Sequence, residues 1–221
     1  MRYLKHTLYV GFYLLKHNMA TTLSLLGYAI LISIWNITTY TSGVFIKHTA
    51  QESLFNVFSS NITLILLSIV ASILFLSDIN DGSIAYIKMR PMSPIYHTLS
   101  KIFASWIFVS VISTVIFLSD ALLVGTFSLT SYISLLITTL NIIIISSFIG
   151  SLTSNIKASI FVMIAYSSLS TSLHNVLLKG EVASWLKSLS LIAPVYHAIP
   201  TIGIICIPIM LIRELHRNIR A

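Results

Sequence analysis

The chain has 221 residues, 56% hydrophobic and 9% charged, with a mean hydropathy of +0.93. So few charged side chains cannot cover a water-facing surface of this size, which excludes an ordinary soluble domain. Thirteen Lys and Arg stand against six Asp and Glu; they lie between apolar runs rather than along one polar face, a pattern of membrane orientation and not of a nucleic-acid surface.

Residues 1–18 read as an amphipathic helix lying in the inner membrane interface. Leu4, Leu8, Phe12 and Leu15 recur at helical spacing, and the pairs Lys5–His6 and Lys16–His17 stand about three turns apart on one face. Tyr9 and Tyr13, with Tyr3, are expected at headgroup depth as interfacial anchors. A removable signal peptide is not expected, because the next apolar run is long enough to span and no small-x-small site follows it.

Windows near the length that crosses about 30 Å of hydrocarbon give candidate spans at Thr21–Tyr40, Phe58–Leu76, Lys101–Val124, Tyr132–Leu152, Ala158–Leu178 and Pro194–Ile212. None alternates with a strand period, and backbone in lipid must bond internally, so each span is expected to be a helix. The fold class is therefore an all-α polytopic membrane protein. A single permease-like domain covers 1–221, with a six-span bundle over 21–212 and a tail over 213–221.

Charge then orients the bundle. With the N-terminus inside, the inner segments hold Arg2, Lys5, Lys16, Lys88, Arg90, Lys101, Lys157, Arg213, Arg217 and Arg220, and the outer ones only Lys47, Lys179 and Lys187. This positive-inside bias predicts a multi-pass protein of the cell membrane with both termini cytoplasmic. Cys206, the single cysteine, lies in an apolar run and reads as an inert packing residue.

Between the second and third spans the sequence turns polar: Asp81-Gly82-Ser83-Ile84-Ala85-Tyr86-Ile87-Lys88-Met89-Arg90-Pro91. Asp81 suits an N-cap and Gly82 a sharp exit from the membrane. Ile84, Ile87 and Tyr86 give about two turns of helix an apolar side. Lys88 and Arg90 sit near its C-terminus, where the helix dipole favours cations, and Pro91 ends it. Ser93 caps and Pro94 begins the following helix. A short transverse helix on the inner mouth, then a hinge, is the expected form.

The spans hold little that would power transport alone. Asp120 is the only acid in a candidate span, toward its outer end, and no G-x-x-x-x-G-K-[ST] phosphate loop occurs. Nor does the sequence show H-E-x-x-H, G-x-S-x-G or paired intramembrane carboxylates, so no catalytic residue is expected. The serines of 146–147 and 167–172 and Asn141 are expected as interhelical hydrogen-bonding groups rather than a substrate route. Ahead of the last span, the amphipathic 179–190 segment and Pro194 predict a short outer helix, with Trp185 and Tyr196 as interfacial anchors.

In this order the features resemble the membrane subunit of type-2 ABC exporters. The likeness runs over nearly the whole chain, through Asp81, Gly82, Ser83, Pro91, Ser93, Lys101, Trp185, Leu186, Leu189, Pro194 and Tyr196. The resemblance implies a substrate path formed by two copies of the chain, or by one copy and a close paralogue. It also implies that Asp81–Arg90 is a coupling helix docking into a separate ABC ATPase, present in two copies, which uses the ATP and Mg²⁺; this chain itself would bind no cofactor. Where such exporters often carry Glu, this chain has Ala85, which removes one salt bridge the docking would otherwise have. Ser100, Lys101 and Trp106 also resemble the haem-exporter B subunits of cytochrome c maturation, and a non-transporting membrane scaffold is the remaining alternative.

Overall fold

A computed structural model describes residues 9, 13, 19–41, 61–80, 94–124, 127, 129–178 and 206–213. Among these residues the structure is helical, without strands. Its elements are α1 (Met19–Thr41), α2 (Asn61–Asn80), α3 (Pro94–Val124), α4 (Leu129–Thr153) and α5 (Ile156–Leu178), followed by a helical stretch, α6, over 206–213. The apolar parts of α3 (Ile95–Ser119, 25 residues) and α4 (Tyr132–Thr153, 22 residues) are long and apolar enough to cross a membrane.

The sequence explains why these runs stay helical. α3 holds 31 residues with proline only at its first position, where a missing N–H costs nothing. α2 contains neither glycine nor proline. It is also the central helix, packing most extensively on α5 and α4 and then on α1, while α3 packs on α4 and α1. Leu64, Leu67, Leu74 and Leu76 of α2 are fully buried, with Ile142 and Ile143 of α4, Phe117 of α3, Ile32 of α1 and Met163 of α5. Cys206 and Met210 join the same core.

The outward faces are apolar. On α3, Phe103, Ile107, Val111, Val115, Leu118 and Leu122 are exposed at helical spacing, and on α1 Leu23, Leu26, Ile30, Ile34 and Ile37 are too. Inside lie Ser68, Ser72, Ser105, Ser113, Thr139, Asn141 and Ser146. Apolar outside and hydroxylic inside reverses the usual order of a water-soluble bundle.

Two residues connect α4 to α5. Ser154 takes a left-handed conformation (φ 51°) and its N–H donates to the Gly150 carbonyl at 2.8 Å, closing α4 in the manner usually given to glycine. Asn155 then caps α5, its Oδ1 accepting from the N–H groups of Lys157 at 2.9 Å and Ala158 at 3.4 Å. The Arg213 guanidinium donates to the Leu152 carbonyl at 3.0 Å, bringing the end of α6 onto this turn. Gly150 itself admits a close neighbour: a Cβ there would stand 3.1 Å from Phe75 Cδ1 and 3.2 Å from Leu76 Cγ.

Two stability changes follow. Ser154→Gly is expected to stabilise the protein by about 1 kcal/mol, because glycine occupies the left-handed region without the Cβ penalty. Gly150→Leu is expected to destabilise it by about 1–3 kcal/mol through overpacking against Phe75 and Leu76. Unfolding of the detergent-solubilised variants checks both; an unchanged Gly150→Leu midpoint would contradict the close α2–α4 contact.

Candidate functional site

The residues expected to receive a partner, Asp81, Gly82, Ser83, Ile84, Tyr86, Ile87, Lys88, Arg90 and Pro91, lie outside the described residues, as do Trp185 and Tyr196. What is described is the pair of helix ends between which that segment hangs. α2 remains helical to Asn80, four residues beyond the expected limit of its span, and α3 starts at Pro94. Tyr9 and Tyr13 are both helical and stack with ring centroids 6.3 Å apart and an interplanar angle of 25°, as one-turn neighbours can.

Lys101 departs from its expected place. It reads in the sequence as a cation in the inner aqueous segment, but it is only 4% exposed, with Nζ 5.1 Å from the centroid of the Phe75 ring. The long α3 carries it inward, since Lys101 stands two turns past Pro94. A desolvated ammonium over an aromatic face gains up to about 2 kcal/mol, against a larger cost of leaving water. The Phe75 ring also lies next to Gly150, so α2, α3 and α4 meet at the end of the bundle from which the 81–93 segment leaves. The sequence signal was present but quiet, a lysine between Ser100 and Ile102 within an uninterrupted apolar helix.

Deeper in, hydroxyls bridge the helices. Ser68 of α2 pairs with Ser167 of α5 at 2.6 Å, and Ser72 pairs with Ser146 of α4 at 2.9 Å while accepting from Ser159 at 3.3 Å. Ser68 and Ser167 also reach the carbonyls of Leu64 (2.7 Å) and Met163 (2.8 Å). Each hydroxyl has one proton, so within the pair one serine donates to its own helix and the other donates across. Tyr28 of α1 meets Ser113 of α3 at 2.9 Å, and Trp106 Nε1 donates to the Leu136 carbonyl of α4 at 3.2 Å. Toward the other end, Thr114 and Tyr132 meet at 3.2 Å beside Phe117 and Phe127.

These contacts supply helix register. The seam joins α2 to α4 and α5 through paired hydroxyls and helix carbonyls. No family model, no curated protein and no solved structure matches the chain.

Ser72→Ala removes two interhelical contacts at once. A loss of about 0.6–1.7 kcal/mol is expected, larger than that of Ser33→Ala, whose exposed hydroxyl bonds only the Ala29 carbonyl of its own helix. Equal midpoints for the two variants in the same detergent would argue against the seam as a stabilising contact.

Proposed function

We propose that this chain is the permease subunit of an ATP-driven exporter of the type-2 ABC kind, embedded in the cell membrane by six spans with both termini inside. Two copies form the substrate path, and a separate ATPase, binding ATP and Mg²⁺, grips each copy through the 79–94 segment. Closure of the ATPase pair on nucleotide pushes that segment, and the push reaches the bundle through the helices flanking it.

The observation that carries the reading is the attachment of the 81–93 segment. It leaves the central helix α2 and enters α3, the longest of the described helices. Near the ends of those two helices, Lys101 on α3 and Phe75 on α2 are in contact. A displacement applied there acts on the core rather than on a peripheral helix. The apolar outward faces of α1 and α3 support immersion in lipid, and the acid-Gly-Ser sequence at 81–83 supports a capped helix as the docking element.

Ile84→Ala combined with Ile87→Ala is expected to reduce co-purification of the ATPase from native membranes by about tenfold or more, since each truncation removes about 1–2 kcal/mol of apolar contact. The chain's own yield and monodispersity should not change. Stoichiometric ATPase retained on the double variant would overturn the coupling assignment.

A further inference from the structure

We infer that the corner formed by the α4–α5 turn and the end of α6 is a binding place for an anionic phospholipid. Arg213 and Lys157 would hold the headgroup phosphate, and the apolar wall beside them would hold the acyl chains. This rests on the bilayer-spanning part of the function proposed above, and not on the identity of the motor.

Two cations flank one short turn, Arg213 bonded to Leu152 before it and Lys157 in the first turn of α5 after it. Arg213 donates one guanidinium nitrogen to the Leu152 carbonyl, which anchors the group at the surface and leaves the rest of its planar fork for another acceptor. Lys157 follows that turn and is exposed. The first amides of α5 are not available to an anion, because Asn155 Oδ1 already accepts from Lys157 and Ala158. The charge is therefore carried by side chains. In sequence the tail beyond adds Arg217 and Arg220 against the single acid Glu214.

Below the cations the surface is bare and apolar. Leu152, Ile209 and Ile212 are exposed, and Phe161, one helical turn along α5 from Lys157, is 75% exposed. Cys206 and Met210 of α6 share the core with Met163 of α5, while Arg213 reaches the turn before α5. Paired cations at one level with large exposed apolar side chains beneath complement a lipid bearing net negative charge, whereas a zwitterionic headgroup returns a positive charge to the same place.

The test uses the full chain in mild detergent, with lipid retention read by native mass spectrometry. Phosphatidylglycerol and phosphatidylcholine of identical acyl chains are offered at equal concentration to wild type, Lys157→Gln, Arg213→Gln and the double variant. Wild type should favour phosphatidylglycerol, each single change should reduce the preference about fivefold, and the double change should reduce it further, the two effects being coupled through the shared phosphate. Phosphatidylcholine retention should stay constant throughout. Lys157→Gln leaves the Arg213 bond to the Leu152 carbonyl untouched, and constant phosphatidylcholine retention with an unchanged unfolding midpoint separates loss of charge from misfolding. Equal retention of the two lipids by wild type, or an undiminished preference in the double variant, would overturn the inference. So would displacement of phosphatidylglycerol by inorganic phosphate at equal concentration, which would indicate a site for the bare anion. A chain that retained neither lipid and stayed monodisperse without detergent would instead remove the bilayer-spanning reading on which the inference stands.

Discussion

Pairing of hydroxyl groups along α2 is the constraint on which the rest of the bundle depends. In a bundle whose outside is as apolar as its inside, burial of hydrocarbon discriminates poorly between one helix arrangement and another. Ser68 and Ser72 stand four residues apart on one face of α2, and between them they meet Ser167 and Ser159 of α5 and Ser146 of α4. A rotation of α2 would part Ser72 from Ser146 and Ser159, at about 1–3 kcal/mol for each buried hydroxyl left unpaired, while Ser68 and Ser167 would keep only the bonds to their own helices. Register is thereby set by weak, directional contacts, and the hydrocarbon fills in around them.

Lys101 and Gly150 apply the same logic at one end of the bundle. The glycine lets α4 approach until Phe75 and Leu76 touch its backbone, and the Phe75 ring, held there, offers a face to the ammonium of α3. Close backbone approach and the buried cation are thus one arrangement seen from two helices. The proposed coupling segment joins α2 and α3 just beyond it, so this close-packed junction lies next to the part proposed to receive force.

The sequence foretold the helices better than their contacts. Long apolar runs without internal breakers made α1, α2, α4 and α5 visible to within a few residues, and Pro94 marked the beginning of α3. The serines of 146–147 and 167–172 read as packing groups, and Ser146 and Ser167 do bridge helices. Lys101 was counted among the inner cations, and its burial against Phe75 was not foreseen, because charge counting reads a side of the membrane and not a residue's neighbours. Gly150 and Ser154 gave no clear signal: a glycine in an apolar helix does not reveal which neighbour it admits, and serine is a rare occupant of the left-handed position. The polar 81–93 segment carried the functional expectation in the sequence, through its caps and prolines, and it lies outside the described residues.

The two-residue turn at Ser154 and Asn155 has a mechanical consequence. With both of its residues committed, one to closing α4 and the other to starting α5, and with Arg213 pinned across it, there is no slack at that end for the two helices to separate. The near ends of α4 and α5 are thereby tethered to one another, so any hinge between these two helices has its pivot at this turn.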